Sequence, residues 1–170
     1  MLTPATITDF PILYQLLEDS FPNDEYRPWE AQQAILSDPR YTLWTNDERT
    51  ALISVWKFDD FAFIEHFAVS PRLRNQGLGR QILSEVLISL SGPVILEAEL
   101  PDTELAQRRL EFYQRNGFFV NPFPYLQPAY APDRKPVPMQ ILSTEPLTRK
   151  AFEDAKRTLY SQVYKENSRC

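Results

Sequence analysis

The chain has 170 residues, of which 43% are hydrophobic and 24% charged, with a net charge of −5. That size and balance describe a globular chain able to bury a core, while the mild acidity argues against a nucleic-acid partner and weakly favours cationic small molecules. No run of about 18 apolar residues is present, which argues against a membrane span.

The first segment, MLTPATITDF, lacks the basic flank and apolar centre of a signal peptide. The sole cysteine, Cys170, rules out an internal disulfide, so a cytoplasmic location is expected. With one histidine and one cysteine, the usual metal-ligand sets cannot be assembled, and no metal is expected.

In chain order, Phe10, Leu13, Leu16 and Leu17 recur at helical spacing and predict a helix over 7–21, with Thr8 or Asp9 as cap. A second helix is expected from about Pro28 to Leu36, stopped before Asp38-Pro39. Three β-type stretches follow, 41–45, 50–58 and 61–69, separated by Asn46-Asp47 and Asp59-Asp60, and they predict an antiparallel meander. Ile82, Leu83, Val86, Leu87 and Leu90 mark a helix over 80–90, which Gly92-Pro93 ends.

The segment VILEAEL (94–100) predicts a strand, 104–116 a helix closed by Gly117, and 118–123 a further strand. Six prolines with Phe123, Tyr125 and Tyr130 make 121–138 a stiffened loop; 137–142 reads as a last short strand. Leu147, Ala151, Ala155, Leu159 and Val163 place an amphipathic helix at about 146–166.

No repeat or linker interrupts the chain, so 1–170 reads as a single domain. The strand–helix–strand unit over 61–100 sets its two strands parallel. The fold class is therefore α/β with a mixed, mostly antiparallel sheet of six to seven strands, a parallel central pair and helices on both faces.

Only four glycines occur, and Gly77 and Gly79 share one run, VSPRLRNQGLGRQIL (69–83), at a strand-to-helix turn. Glycine permits the tight backbone that exposes helix N-terminal amides to phosphate oxygens. A P-loop would need Lys-Ser/Thr where Arg80-Gln81 stand, and a dinucleotide fingerprint a third glycine where Ile82 stands.

Strand, then RNQGLG (74–79), helix, strand and FYQRNGF (112–118) resemble the GNAT superfamily of acyl-CoA-dependent N-acyltransferases. The resemblance covers about 3–142 in element order and about 61–120 in motifs. It implies acetyl-CoA as cosubstrate and a GNAT fold whose parallel central strands splay apart. Backbone groups of Gln76, Gly77, Leu78, Gly79 and Arg80 would hold the pyrophosphate. The side chain of Arg74, or of Arg80 with it, would add charge-assisted contacts, and Asn75 belongs to the same cofactor-binding loop. The edge at Phe67, Ala68 and Val69 would pair with the pantetheine amides. The alternative for Arg72, Arg74 and Arg80 is simple solvation of an exposed turn.

The implied reaction moves an acetyl group to a primary amine of a small molecule or peptide. An amine with pKa near 10.4 must lose a proton first, at a cost of about 4–5 kcal/mol at pH 7. Glu65 is the candidate base, with Glu97, Glu99 and His66 as alternates; a glutamate on a sheet can equally pair with an arginine. Tyr113 occupies the position of the acid that protonates the leaving thiolate, although a helix tyrosine can also be core.

One departure stands out. Where many members carry an asparagine seven residues before the tyrosine, this chain has Ala106, followed by Arg108 and Arg109. Phe21, Tyr26 and Trp29, with the segment from Tyr125 to Tyr130, are expected to wall the acceptor cleft. The alternative function is an acyl-CoA-binding or regulatory module without turnover, and the final helix is compatible with a homodimer.

Overall fold

The structure, a computed structural model, describes residues 1–166; Cys170 lies outside them. Its chain forms two compact units, Met1–Val94 and the part from Ile95 onward.

In the first unit, β1 (Leu2–Pro4), β2 (Tyr41–Asn46), β3 (Ala51–Lys57) and β4 (Ala62–Val69) form an antiparallel meander. Ala51, Leu52, Ile53, Val55 and Trp56 of β3 are all buried, the continuous apolar pattern of a strand paired on both edges. Asn46 closes the β2–β3 turn: its Oδ1 accepts from the Thr50 and Ala51 amides at 2.9 and 3.0 Å. Arg49 completes the turn in the left-handed region at φ 56°.

Helix α1 (Phe10–Ser20) starts later than its periodicity predicts. Thr6–Asp9 instead closes a turn of its own, with the Thr6 amide donating to Asp9 Oδ2 at 2.8 Å and the Asp9 amide to the Thr6 carbonyl at 3.0 Å. Helix α2 (Trp29–Ala34) tightens into a 3₁₀ turn over Ile35–Ser37.

After β4 the chain passes through the glycine run into α3 (Leu78–Ser89). It then returns so that the Ala62 amide, at the start of β4, donates to the Pro93 carbonyl at 3.0 Å. Start lies beside start, the parallel sense expected of a strand–helix–strand crossover.

The second unit is organised on β8 (Val137–Ser143). One edge of β8 pairs with β5 (Val94–Glu99); β6 (Phe119–Val120) and β7 (Tyr125–Gln127) pair with β8 as well, all antiparallel. Thr103 and Thr148 cap α4 (Glu104–Arg115) and α5 (Arg149–Thr158) through their hydroxyls. A π turn, Leu159–Val163, continues α5.

The mixed, mostly antiparallel α/β fold read from the sequence is the observed one, but with eight strands among the described residues rather than six or seven. The additions are β1 and β7. Tyr125–Gln127 of the proline-rich stretch pairs with β8 because prolines 124 and 128 flank it without interrupting it. The strand expected over 118–123 shrinks to Phe119–Val120. Asn121 turns inward, its amide and Nδ2 both donating to the Ile141 carbonyl, and Pro122 has no N–H to extend a ladder.

Candidate active site

The strand-to-helix turn has the backbone its glycines predict. A 3₁₀ turn at Pro71–Leu73 leads to Asn75 at φ 62° and Gly77 at φ 82°, both left-handed, and Gly77 is the N-cap of α3. The first helical bond runs from the Gln81 amide to the Gly77 carbonyl at 3.1 Å. Helix geometry directs the preceding amides of Leu78, Gly79 and Arg80 out of the helix end, where an anion is favoured.

The turn is braced at both ends. Arg74 Nε donates to the Val69 carbonyl at 2.9 Å, and Gln76 Nε2 to the Arg72 carbonyl at 3.1 Å. Arg72, Arg74, Asn75, Gln76, Gly77 and Arg80 are exposed. Just before the turn, Phe67, Ala68 and Val69 pair through one strand edge with Ile53, Leu52 and Ala51 of β3.

Glu65 sits at a bulge. Ile53 opposes Phe67 and Val55 opposes Ile64, so β4 carries one extra residue at Glu65–His66. The His66 amide leaves the ladder for Ser54 Oγ at 3.0 Å. Such a bulge re-aims side chains, and the Glu65 side chain is wholly buried (0%). Arg27 Nη1 donates to its Oε2 at 2.6 Å and Trp56 Nε1 to its Oε1 at 2.7 Å.

Arg27 is itself built in, because its carbonyl accepts from Tyr14 Oη at 2.9 Å and its Nη1 also reaches Gln32 Oε1 at 3.3 Å. The arginine alternative noted for Glu65 is therefore realised. His66 is buried too: Nε2 donates to the Glu25 carbonyl at 2.7 Å, and burial lowers its pKa.

Three aromatics expected to wall a cleft pack instead against α1 and β4. Trp29 stands edge-on to Phe10 and Tyr14 at 4.7 and 5.0 Å, Tyr26 meets Tyr14 at 6.0 Å, and Phe21 meets His66 at 5.0 Å.

In the second unit, Tyr113 lies in the last turns of α4, half-buried and edge-on to Phe112 and Phe118 at 5.3 and 5.7 Å. Burial pushes its phenol up to about 12, against a smaller downward pull from Arg109. Ala106, at the asparagine position, is buried and uses its amide on the Thr103 cap. The two arginines that follow are engaged: Arg108 with Glu104 at 2.5 Å, and Arg109 with Glu99. Glu97 accepts from Tyr125 Oη at 2.5 Å and from Tyr164 Oη.

Sequence reasoning missed Arg27, Trp56 and Tyr164. Trp56 lay in a strand pattern, whereas Arg27 and Tyr164 carried no local signal at all. Among the described residues, no helix is long and apolar enough to cross a membrane.

A family model, the acetyltransferase (GNAT) domain, matches residues 39–119, which span β2 to β6. Over the whole chain the structure is similar to "Putative acetyltransferase from GNAT family from Bacteroides thetaiotaomicron". The identity is 32%, the TM-score 0.90, and the match covers 98% of this chain and 99% of that one. The chain belongs to the GNAT family.

Another relative, "Putative acetyltransferase YjbC" of Bacillus subtilis (strain 168), is 32% identical over 108 residues, which are 62% of this chain. The chain spans only about half of that relative's length (55%). A GNAT acetyltransferase from Elizabethkingia anophelis with acetyl-CoA bound shares the fold at 21% identity and TM-score 0.61, over 85% of this chain and 97% of that one. In this GNAT chain the two motifs therefore fall on the elements the family resemblance implied: the glycine run between β4 and α3, and FYQRNGF across the end of α4.

Proposed function

We propose that the protein is an acetyl-CoA-dependent N-acetyltransferase acting on a primary amine through direct attack. The observation that carries the reading is the pair of left-handed residues, Asn75 and Gly77, which present the first amides of α3 at an exposed turn. When bound, acetyl-CoA supplies an activated acetyl thioester.

The amides of Gln76 to Arg80 bind the diphosphate, and Arg74 and Asn75 hold the turn in shape. The backbone of Phe67 to Val69 pairs with the pantetheine amides. Tyr113, kept neutral by burial, donates its proton to the departing sulfur. The acceptor amine must lose a proton, and Glu65 serves as base only after a buried bond such as that to Arg27 or to Trp56 is exchanged.

The test is acceptor-dependent thiol release from acetyl-CoA across a panel of small amines and peptide N-termini, with coenzyme A binding followed by calorimetry. Binding together with release upholds the reading. Binding with no release across the panel leaves a coenzyme A-binding module, and absence of binding removes the donor altogether.

A further inference from the structure

Helix α4 carries two successive arginines that are held in different ways. Arg108 pairs with Glu104 one turn back on an open face, with side chains 71% and 79% exposed, an arrangement worth little. Arg109 instead reaches off the helix to Glu99 of β5, where the two side chains are 34% and 32% exposed.

Glu99 is a fixed anchor. It stands opposite Met139 in the β5–β8 ladder, and its carbonyl accepts from Gln140 Nε2 at 3.3 Å. Two further ties fasten the first turns of α4 to the loop after β5. The Ala106 amide donates to Thr103 Oγ1 at 3.1 Å, and Gln107 Nε2 to the Pro101 carbonyl at 3.2 Å. The rotation of α4 about its axis is therefore set from β5.

Tyr113 follows Arg109 by four residues, so the two share one face of α4 on adjacent turns. The Phe118 amide donates to the Tyr113 carbonyl at 3.0 Å, and the rings of Phe112 and Phe118 flank the phenol. The Tyr113 hydroxyl makes no hydrogen bond among the described residues. α4 also carries Glu104, Arg108, Glu111 and Arg115, and β5 carries Glu97 and Glu99. Among the described residues, however, Arg109 is the charge that pulls this phenol down, against the larger upward push of burial.

The chemistry gives that charge a use. When Tyr113 yields its proton to the departing sulfur, the phenol O–H bond breaks and a sulfur–hydrogen bond forms with the electron pair released from the acyl carbon. A phenolate remains, and it regains a proton from solvent. Negative charge appears on Tyr113 only as that transfer proceeds, so a cation beside it acts on the transition state more than on the ground state.

We propose that Arg109, anchored by Glu99, is a positioning residue for the proton donor, its charge stabilising the phenolate that forms at Tyr113 as the thiolate leaves. This inference rests on the acetyltransferase reading and adds to it a residue that acts through Tyr113.

The test has two arms. In the protein without coenzyme A, a difluorotyrosine takes the place of Tyr113, its more acidic phenol bringing the ionisation into a range the fold withstands. Fluorine NMR follows the titration. Arg109→Met should raise its midpoint by about half a pH unit or more, and Arg109→Lys should leave it near the parent value. In turnover, Arg109→Met should lower kcat about three- to tenfold, with the KM for acetyl-CoA within about twofold of the parent. Arg109→Lys should recover most of that loss, and in a Tyr113→Phe background Arg109→Met should cost nothing further. An unmoved midpoint, or an equal loss in the Tyr113→Phe background, overturns this inference alone. Absent thiol release in the parent overturns the acetyltransferase reading and this use of Arg109 with it. If Arg109→Met fails to fold, Arg109→Gln carries both arms.

Discussion

Arg27 Nη1 lies 2.6 Å from Glu65 Oε2, and the two side chains are 6% and 0% exposed. The pair fastens the segment between α1 and α2 to the bulge of β4, and Trp56 takes the second carboxylate oxygen. Removing one partner of a buried pair leaves the other charge uncompensated, at a cost of about 3–5 kcal/mol. Arg27→Met should therefore lower the unfolding free energy by about that amount. Adding Glu65→Gln should recover part of it, because no carboxylate is then stranded. Denaturant titration of the parent and the two variants checks this; an Arg27→Met protein as stable as the parent would show that the pair does not hold the segment.

Gly77 should not tolerate a side chain, although there is room for one. A Cβ built there meets nothing within 4 Å, so the penalty is purely the left-handed backbone at φ 82°. Gly77→Ala should cost about 1 kcal/mol and weaken coenzyme A binding as the turn relaxes. Asn75→Gly, at φ 62°, should change stability by only about 0.5 kcal/mol, since asparagine and glycine both accept that region. Paired melting and calorimetric measurements separate backbone strain from a lost contact.

Tyr113→Phe should leave coenzyme A affinity unchanged and lower kcat by about 10²–10⁴-fold, the usual range for loss of a proton donor. Because burial lifts the phenol to about 12, it stays protonated through the neutral and mildly alkaline range. Any alkaline limb of the kcat profile near pH 9 should then persist in Tyr113→Phe. Turnover unaffected by the substitution would remove Tyr113 from the acid role.

Asp9 predicts an acid limb in stability. Bonds from the Thr6 amide, from Arg49 and from the Thr6 hydroxyl lower its carboxyl from 3.8 to about 2. Between those values the unfolded chain binds the proton and the folded one does not, so the stabilisation is present above pH 4 and lost as pH falls toward 2. Asp9→Asn should flatten the melting temperature over that interval while leaving the slope at higher pH alone. A parent-like slope below pH 4 in the variant would assign the acid limb to other carboxylates.

The elements legible in the sequence were those with strong local patterns. The alternation and turn residues of 41–69 gave the meander to within a residue or two, and the stripe of Ile82, Leu83 and Val86 gave α3. β7 was hidden because its pairing to β8 depends on partners ten or more residues away, while prolines masked its strand character. The strand over 118–123 was overdrawn for a related reason: Asn121 finds bonding partners at Ile141, Ser143 and Leu147 that outcompete a ladder.

Residue order alone marked the glycines of the turn and Gly117 as places of tight or left-handed main chain, and it settled which faces must be apolar. Both follow from torsional limits and short-range periodicity, while left-handed Arg49 and Asn75 carried no such mark. Those determinants placed the glycine turn, α3 and α4. The environment of each acidic side chain was decided only by tertiary packing. Glu65 draws a cation from 38 positions earlier, and Glu97 a phenol from 67 positions later. Which donors meet a carboxylate depends on segments brought together by core burial, and no local pattern along the chain encodes that meeting.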